Sequence, residues 1–180
     1  MLKNLVVYSS ETGNTKLLAE EIYNSISAKK GSKKLVDVRS WNGTLDAENY
    51  FIGFWINRGS CSLEMIDLIS SLHGKNVAFF GTCGLGNTRG YYRSLEQNAR
   101  VWLPDDNFFL GSFFCQGKMP YAVREKYESY RGKCDDHKID LMLDLFDAAM
   151  SHPDGNDLLM AHLFAENSLR NIPDRESAYV

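Results

Sequence analysis

Ser9-Ser10-Glu11-Thr12-Gly13-Asn14-Thr15 follows the apolar run Leu5-Val6-Val7-Tyr8 and opens a segment in which Leu18, Ile22 and Ile26 recur every four residues. The run has the continuity of a buried strand, and the four-residue spacing predicts a helix from Asn14 to Ala28. In physical terms the stretch between them is a phosphate cradle. Gly13 lets backbone come close to an anion, and the hydroxyls of Ser10, Thr12 and Thr15 are placed to donate to phosphate oxygens. The free amides at the helix start and the helix dipole add to the attraction. The same residues also suit an ordinary Ser/Thr-rich cap, but strand, loop and helix in register favour the phosphate site. There is no lysine of the P-loop type and no Gly-x-Gly-x-x-Gly, so neither a nucleoside triphosphate nor a dinucleotide is indicated. The loop suits a phosphate monoester held by neutral donors.

Outward from this unit, short apolar runs alternate with segments of helical period. Strands are expected at Lys34 to Arg39, Asn49 to Trp55, Asn76 to Phe80 and Phe108 to Cys115. Ser62 can cap a helix with Met65, Ile69 and Leu72 on its inward stripe, closed by Gly74. Tyr92, Leu95, Ala99 and Trp102 mark another that stops before Pro104. Strands too apolar to alternate call for a parallel sheet covered on both faces. Right-handed crossovers then leave a doubly wound α/β sheet as the simplest topology.

The carboxy-terminal third reads differently. Pro120 to Arg131 is a charged surface helix with Val123, Tyr127 and Tyr130 inward, ended by Gly132. Ile139, Met142, Leu143, Phe146, Ala149 and Met150 form the stripe of the next helix, and Asp154 or Asn156 caps a last one carrying Leu159, Leu163 and Leu169. The expected organisation is one domain over 1–172, with a helical insertion at about 118–150 and a frayed tail over 173–180.

The 180 residues suffice for one domain with a sizeable core. With 20 basic against 23 acidic residues the net charge is −3, so nothing recommends nucleic acid or a membrane surface as partner. No apolar run approaches the roughly 20 residues of a membrane helix. The start of the chain lacks the apolar region and cleavage site of a secretory signal, which makes the cytoplasm the expected location. Cys61, Cys83, Cys115 and Cys134 show neither metal-knuckle nor redox spacing and read as reduced thiols. His73, His137, His152 and His162 are scattered, with no Ser-His-Asp logic and no paired carboxylates. Neither a metal site nor side-chain acid–base catalysis is indicated.

Ser10-Glu11-Thr12-Gly13-Asn14-Thr15 resembles the FMN-phosphate loop of flavodoxins, with serine for the usual first threonine. The similarity runs from Met1 to about Gly117 and takes in the final helix. It implies a five-stranded parallel sheet in the order 2-1-3-4-5, with FMN at its carboxyl edge. Under this resemblance Ser9, Ser10, Glu11, Thr12, Gly13, Asn14 and Thr15 hold the phosphate. Two further loops hold the ring. Trp55, Ile56, Asn57, Arg58 and Gly59 follow the third strand, and Thr82, Cys83, Gly84, Leu85, Gly86 and Asn87 follow the fourth.

Departures from the family pattern are informative. Flavodoxins often sandwich the ring between a tryptophan and a tyrosine, and here Asn57 and Asn87 fall at those places. Trp55 lies two residues early, a shift that keeps the same face of an extended segment. It either covers the ring or packs at the sheet edge. Tyr91 and Tyr92 come late and read as helix core. Many flavodoxins place acidic residues around the ring, whereas Arg58 puts a guanidinium there. At ~6 Å and an effective dielectric of ~20 it would contribute about 2–3 kcal/mol, on the order of 100 mV, and make the reduced couple less negative. The alternative is a solvated arginine at a loop tip. Cys83 and Cys115 read as packing residues.

With Phe113-Phe114-Cys115-Gln116-Gly117-Lys118 closing the fifth strand, the chain resembles a small bacterial flavodoxin-like branch associated with flavin-dependent reductases, including bilirubin reductase. The resemblance implies an electron carrier, monomeric or weakly dimeric. It would pass single electrons from an upstream flavodoxin reductase to a downstream reductase enzyme, with the insertion shaping a partner surface. Two other functions stay open. One is an NAD(P)H oxidoreductase acting through FMN on quinone-like acceptors. The other is a scaffold subunit that has lost the cofactor.

Overall fold

Strands β3 (Ala47–Trp55) and β4 (Asn76–Cys83) are buried along almost their whole length, because helices cover both faces of the sheet they centre. The computed structural model describes residues 1–27, 29, 31–86 and 88–172. In chain order the remaining elements are β1 (Leu2–Tyr8), α1 (Asn14–Ser25), β2 (Lys33–Asp37), α2 (Leu63–Ser70), α3 (Arg89–Arg100), β5 (Phe108–Gln116), α4 (Tyr121–Glu128), α5 (Asp136–Ala149) and α6 (Gly155–Arg170). All strand pairs are parallel and their order is β2-β1-β3-β4-β5, as the resemblance implies. The expected tail over 173–180, Ala28 and Asn87 lie outside the described residues.

Alternate residues of each central strand feed two separate cores. Leu5, Val7, Ile52, Phe54 and Phe79 pack with Met65 and Ile69 of α2 and Leu95 of α3. Val6, Phe51, Ala78 and Phe80 pack with Leu18 and Ile22 of α1 and Ala161 and Ala165 of α6. Register is pinned by a buried asparagine ladder at the amino-terminal edge. Asn49 donates to Asn4 and Asn76 donates to Asn49, each at 2.8 Å, across strands where these residues stand opposite one another. A slipped register would strand these amides in an apolar interior, which is costly.

Several local expectations are corrected. β2 ends at Asp37 rather than Arg39, and Val38–Ser40 forms a 3-10 turn. The Asp37 carboxylate accepts from Arg39 N at 3.0 Å and from Arg39 Nε at 2.9 Å, and these bonds favour the turn over a further strand residue. Ser62 stands at the start of α2 but makes no side-chain cap bond. On α6 the inward residues are Ala161, Ala165 and Ser168, while Leu159 and Leu163 are 55% and 40% exposed. α6 runs against α1, and small side chains allow that approach where leucines would not. Asp154 caps this helix through Asn156 N and Asp157 N, both at 2.9 Å. α4 buries no residue, and Tyr130, expected inward, is exposed.

Candidate functional site

The carboxyl ends of β1, β3, β4 and β5 open onto one cleft of about 730 Å³, within the ~300–1,000 Å³ usual for small-molecule sites. Glu11, Thr12 and Asn14 line it from the first loop, Trp55, Ile56, Asn57, Arg58 and Gly59 from the second, and Thr82, Cys83, Gly84 and Leu85 from the third. Ser9, Ser10, Gly13, Thr15 and Gly86 belong to the same loops without lining the cleft. Asn87 lies outside the described residues.

In the first loop, Ser9 N donates to Gly53 O at 2.8 Å, which ties the loop to β3. Ser10 Oγ accepts from Gly13 N at 3.1 Å, so the serine closes the turn while its own proton stays available. Gly13, at φ 89°, occupies the position before α1, and no side chain caps that helix. The first-turn amides therefore face the loop unblocked, the arrangement an anion needs. Asn14 Nδ2 donates to Thr12 Oγ1 at 2.8 Å and to Lys118 O at 2.9 Å. Thr15 is used differently, for it is fully buried and its hydroxyl lies 2.8 Å from Thr82 Oγ1. That bond joins the first loop to the end of β4.

The second loop is a tight turn in which Asn57 and Ser60 exchange backbone hydrogen bonds at 2.8 and 3.1 Å. Its central residues, Arg58 and Gly59, have φ of 51° and 86°. Arg58 is the one non-glycine residue with positive φ among the described residues, a conformation costing about 1–2 kcal/mol outside glycine. Asn98 Nδ2 anchors the turn through Gly59 O at 2.9 Å, so α3 holds the strained tip in place. In the third loop, the single Cys83 thiol proton is shared between Gly86 O and Cys115 O, which lie 3.6 and 3.5 Å from Sγ. Burial pushes the Cys83 thiol up to about 12, so it stays protonated and unreactive at neutral pH. The ring of Tyr91 packs so closely that a Cβ on Gly86 would meet it at 2.6 Å.

Residues outside the expected loops complete the cleft. Tyr91 lines it from α3, and Gly117, Lys118, Met119, Pro120, Val123, Lys126 and Tyr127 line it from the end of β5 and from α4. Tyr91 had a visible aromatic signal but its helical spacing pointed to the core. Gly117 and Lys118 were expected at the end of the fifth strand beside the crevice, whereas 119–127 carried no local signal, because its place depends on β5 ending beside β4.

A flavodoxin domain family model matches residues 5–166. This chain belongs to the flavodoxin family. Curated relatives include the flavodoxin-like domain-containing protein BilS of Clostridioides difficile strain CD3, 35% identical over 93% of this chain and 97% of that protein. BilS of Clostridium symbiosum strain WAL-14163 is 33% identical over 93% and 96%. These matches support the small bacterial branch expected above. Among solved structures, the Streptococcus pneumonia TIGR4 flavodoxin shares the fold with a TM-score of 0.58, at 13% identity over 94% of this chain and 99% of that one. Rubredoxin oxygen:oxidoreductase from Desulfovibrio gigas does so with a TM-score of 0.53, at 12% identity over 93% of this chain and 35% of its own.

Membership of the flavodoxin family supports FMN as the cofactor, and the cleft fits it. An uncapped helix start with the Ser10 and Thr12 hydroxyls suits the phosphate. Trp55, Ile56 and Tyr91, beside the glycine-rich backbone of the second and third loops, suit a flat apolar ring with a polar edge. Among the described residues no helix is long and apolar enough to cross a membrane.

Proposed function

We propose that this flavodoxin is a cytoplasmic electron carrier that binds FMN in the cleft and passes single electrons from a flavodoxin reductase to a downstream flavin-dependent reductase. Bilirubin reductase is the downstream enzyme that the branch suggests. The observation that carries the reading is the meeting, in one open cleft, of an uncapped anion-binding helix start with a mouth bearing Trp55 and Tyr91. Burial raises Cys83, Tyr91 and Tyr127, which keeps all three protonated at neutral pH.

Bound FMN supplies the redox chemistry, accepting and returning electrons. The chain's own residues bind, orient and shield. The first-turn amides of α1 and the hydroxyls of Ser10 and Thr12 hold the phosphate, while Thr15 and Asn14 keep that loop in shape. Trp55 and Ile56 keep water from the apolar part of the ring. Backbone groups of Thr82 to Gly86 meet its polar edge. The 118–150 insertion borders the open side through Val123 and Tyr127, where a partner approaching the flavin would touch it.

The test is the absorption spectrum during stepwise reduction. The expected result is a yellow protein with one FMN per chain and a spectrally distinct one-electron stage. A colourless preparation that takes up no FMN favours the scaffold. Rapid bleaching by NAD(P)H without a reductase favours the oxidoreductase.

A further inference from the structure

The first loop carries no cation, and its charged residue lining the cleft, Glu11, is a carboxylate. A phosphate monoester bears close to two negative charges at neutral pH, so Glu11 opposes the ligand that the rest of the loop attracts. The fold brings a charge of the right sign from far along the chain. Asn14, the first residue of α1, donates to Lys118 O at 2.9 Å across a separation of 104 residues. A Cβ on Gly117 would lie 2.8 Å from Asn14 Nδ2, so the backbone before Lys118 is pressed onto the loop. From the other side Gly117 N donates to Cys83 O at 3.0 Å and Lys118 N to His152 O at 2.9 Å. Hydrogen bonds to Asn14, Cys83 and His152 thus fix the backbone around Lys118 beside the first loop. Its side chain is exposed and lines the cleft with Glu11 and Thr12. Among the described residues it takes part in no ion pair.

We infer that Lys118 is a phosphate-binding residue of this cleft, its ammonium pairing with the phosphate monoester and offsetting Glu11. The inference rests on the FMN reading above. A lysine suits the role, as a compact charge on a flexible stem. It fills, from the end of β5, the place that a P-loop lysine takes within its own loop.

Flavin-fluorescence titration of the full chain, freed of flavin, with FMN and with riboflavin separates the possibilities, since riboflavin lacks the phosphate. Lys118→Met is expected to weaken FMN about three- to tenfold, the scale of one partly screened charge on a dianion. Riboflavin should shift less than twofold, and the salt dependence of FMN binding should flatten. Lys118→Arg should restore most of the loss, and Lys133→Met, the same change of net charge elsewhere, should leave both flavins unaffected. Equal losses for FMN and riboflavin, or no loss for either, overturn the assignment. If the unaltered chain binds neither flavin, the cofactor reading itself has failed and takes this inference with it.

Discussion

The β1–α1 crossover and the β5–α4 junction line the same cleft, yet they are built in different ways. In the crossover, seven consecutive residues carry strand end, turn, hydroxyl donors and helix start, so shape and chemistry are encoded locally. At the junction, Gly117 to Tyr127 owe their place to the pairing of β4 with β5 and to the Asn14–Lys118 bond. The contrast teaches that an anion site can be half motif and half neighbour. The motif supplies neutral donors and the neighbour supplies the charge and one wall.

The hardest blow to that partnership should come from Gly117→Val. A Cβ there falls 2.8 to 3.0 Å from three Asn14 side-chain atoms, and overpacking of this kind costs about 1–3 kcal/mol. Thermal unfolding should show a midpoint lowered by several degrees and FMN titration a loss of tenfold or more. Unchanged values on both would mean that the two regions are independent.

Thr15→Val should be nearly as destabilising but leave the ligand alone. It deletes the buried bond to Thr82, and a buried hydroxyl left unpaired costs about 1–3 kcal/mol. Denaturant melts should report that loss while FMN affinity stays within a few-fold. A large fall in affinity with full stability would make Thr15 a phosphate donor after all.

Thr12→Ala removes an exposed neutral donor, worth about 1 kcal/mol, so FMN should bind roughly fivefold more weakly with stability unchanged. An effect as large for riboflavin would detach Thr12 from the phosphate. Arg58→Ala is expected to be the mildest. Arg58 is exposed, so at ~6 Å the dielectric approaches that of water and the interaction drops to about 0.7 kcal/mol, or ~30 mV. Potentiometry should find the reduced couple lowered by that amount, and no lowering would return Arg58 to a strained turn with no electrostatic role.

Much of the architecture was legible in the residues, because strands buried on both faces read as continuous apolar runs and helices as stripes of period 3.6. The errors occurred where tertiary neighbours choose between faces. Leu159 and Leu163 look inward by spacing, but α1 lies too close for them and Ala161 and Ala165 take the contact. Thr15 is fully buried and its hydroxyl meets Thr82 Oγ1 at 2.8 Å, a partner that nothing in the local sequence marks. The asparagine ladder was invisible for the same reason, since nothing local marks Asn4, Asn49 and Asn76 as opposite one another.

Chain order alone determined the sheet's parallel topology and the turn proposed to hold the phosphate, because strand, glycine and helix start follow one another without a gap. Only the folded sheet decided which charge faces that turn and what closes the cleft's far side. Lys118 and Asn14 meet because β5 ends beside β4, and such a meeting depends on distances between strands that no run of neighbouring residues encodes.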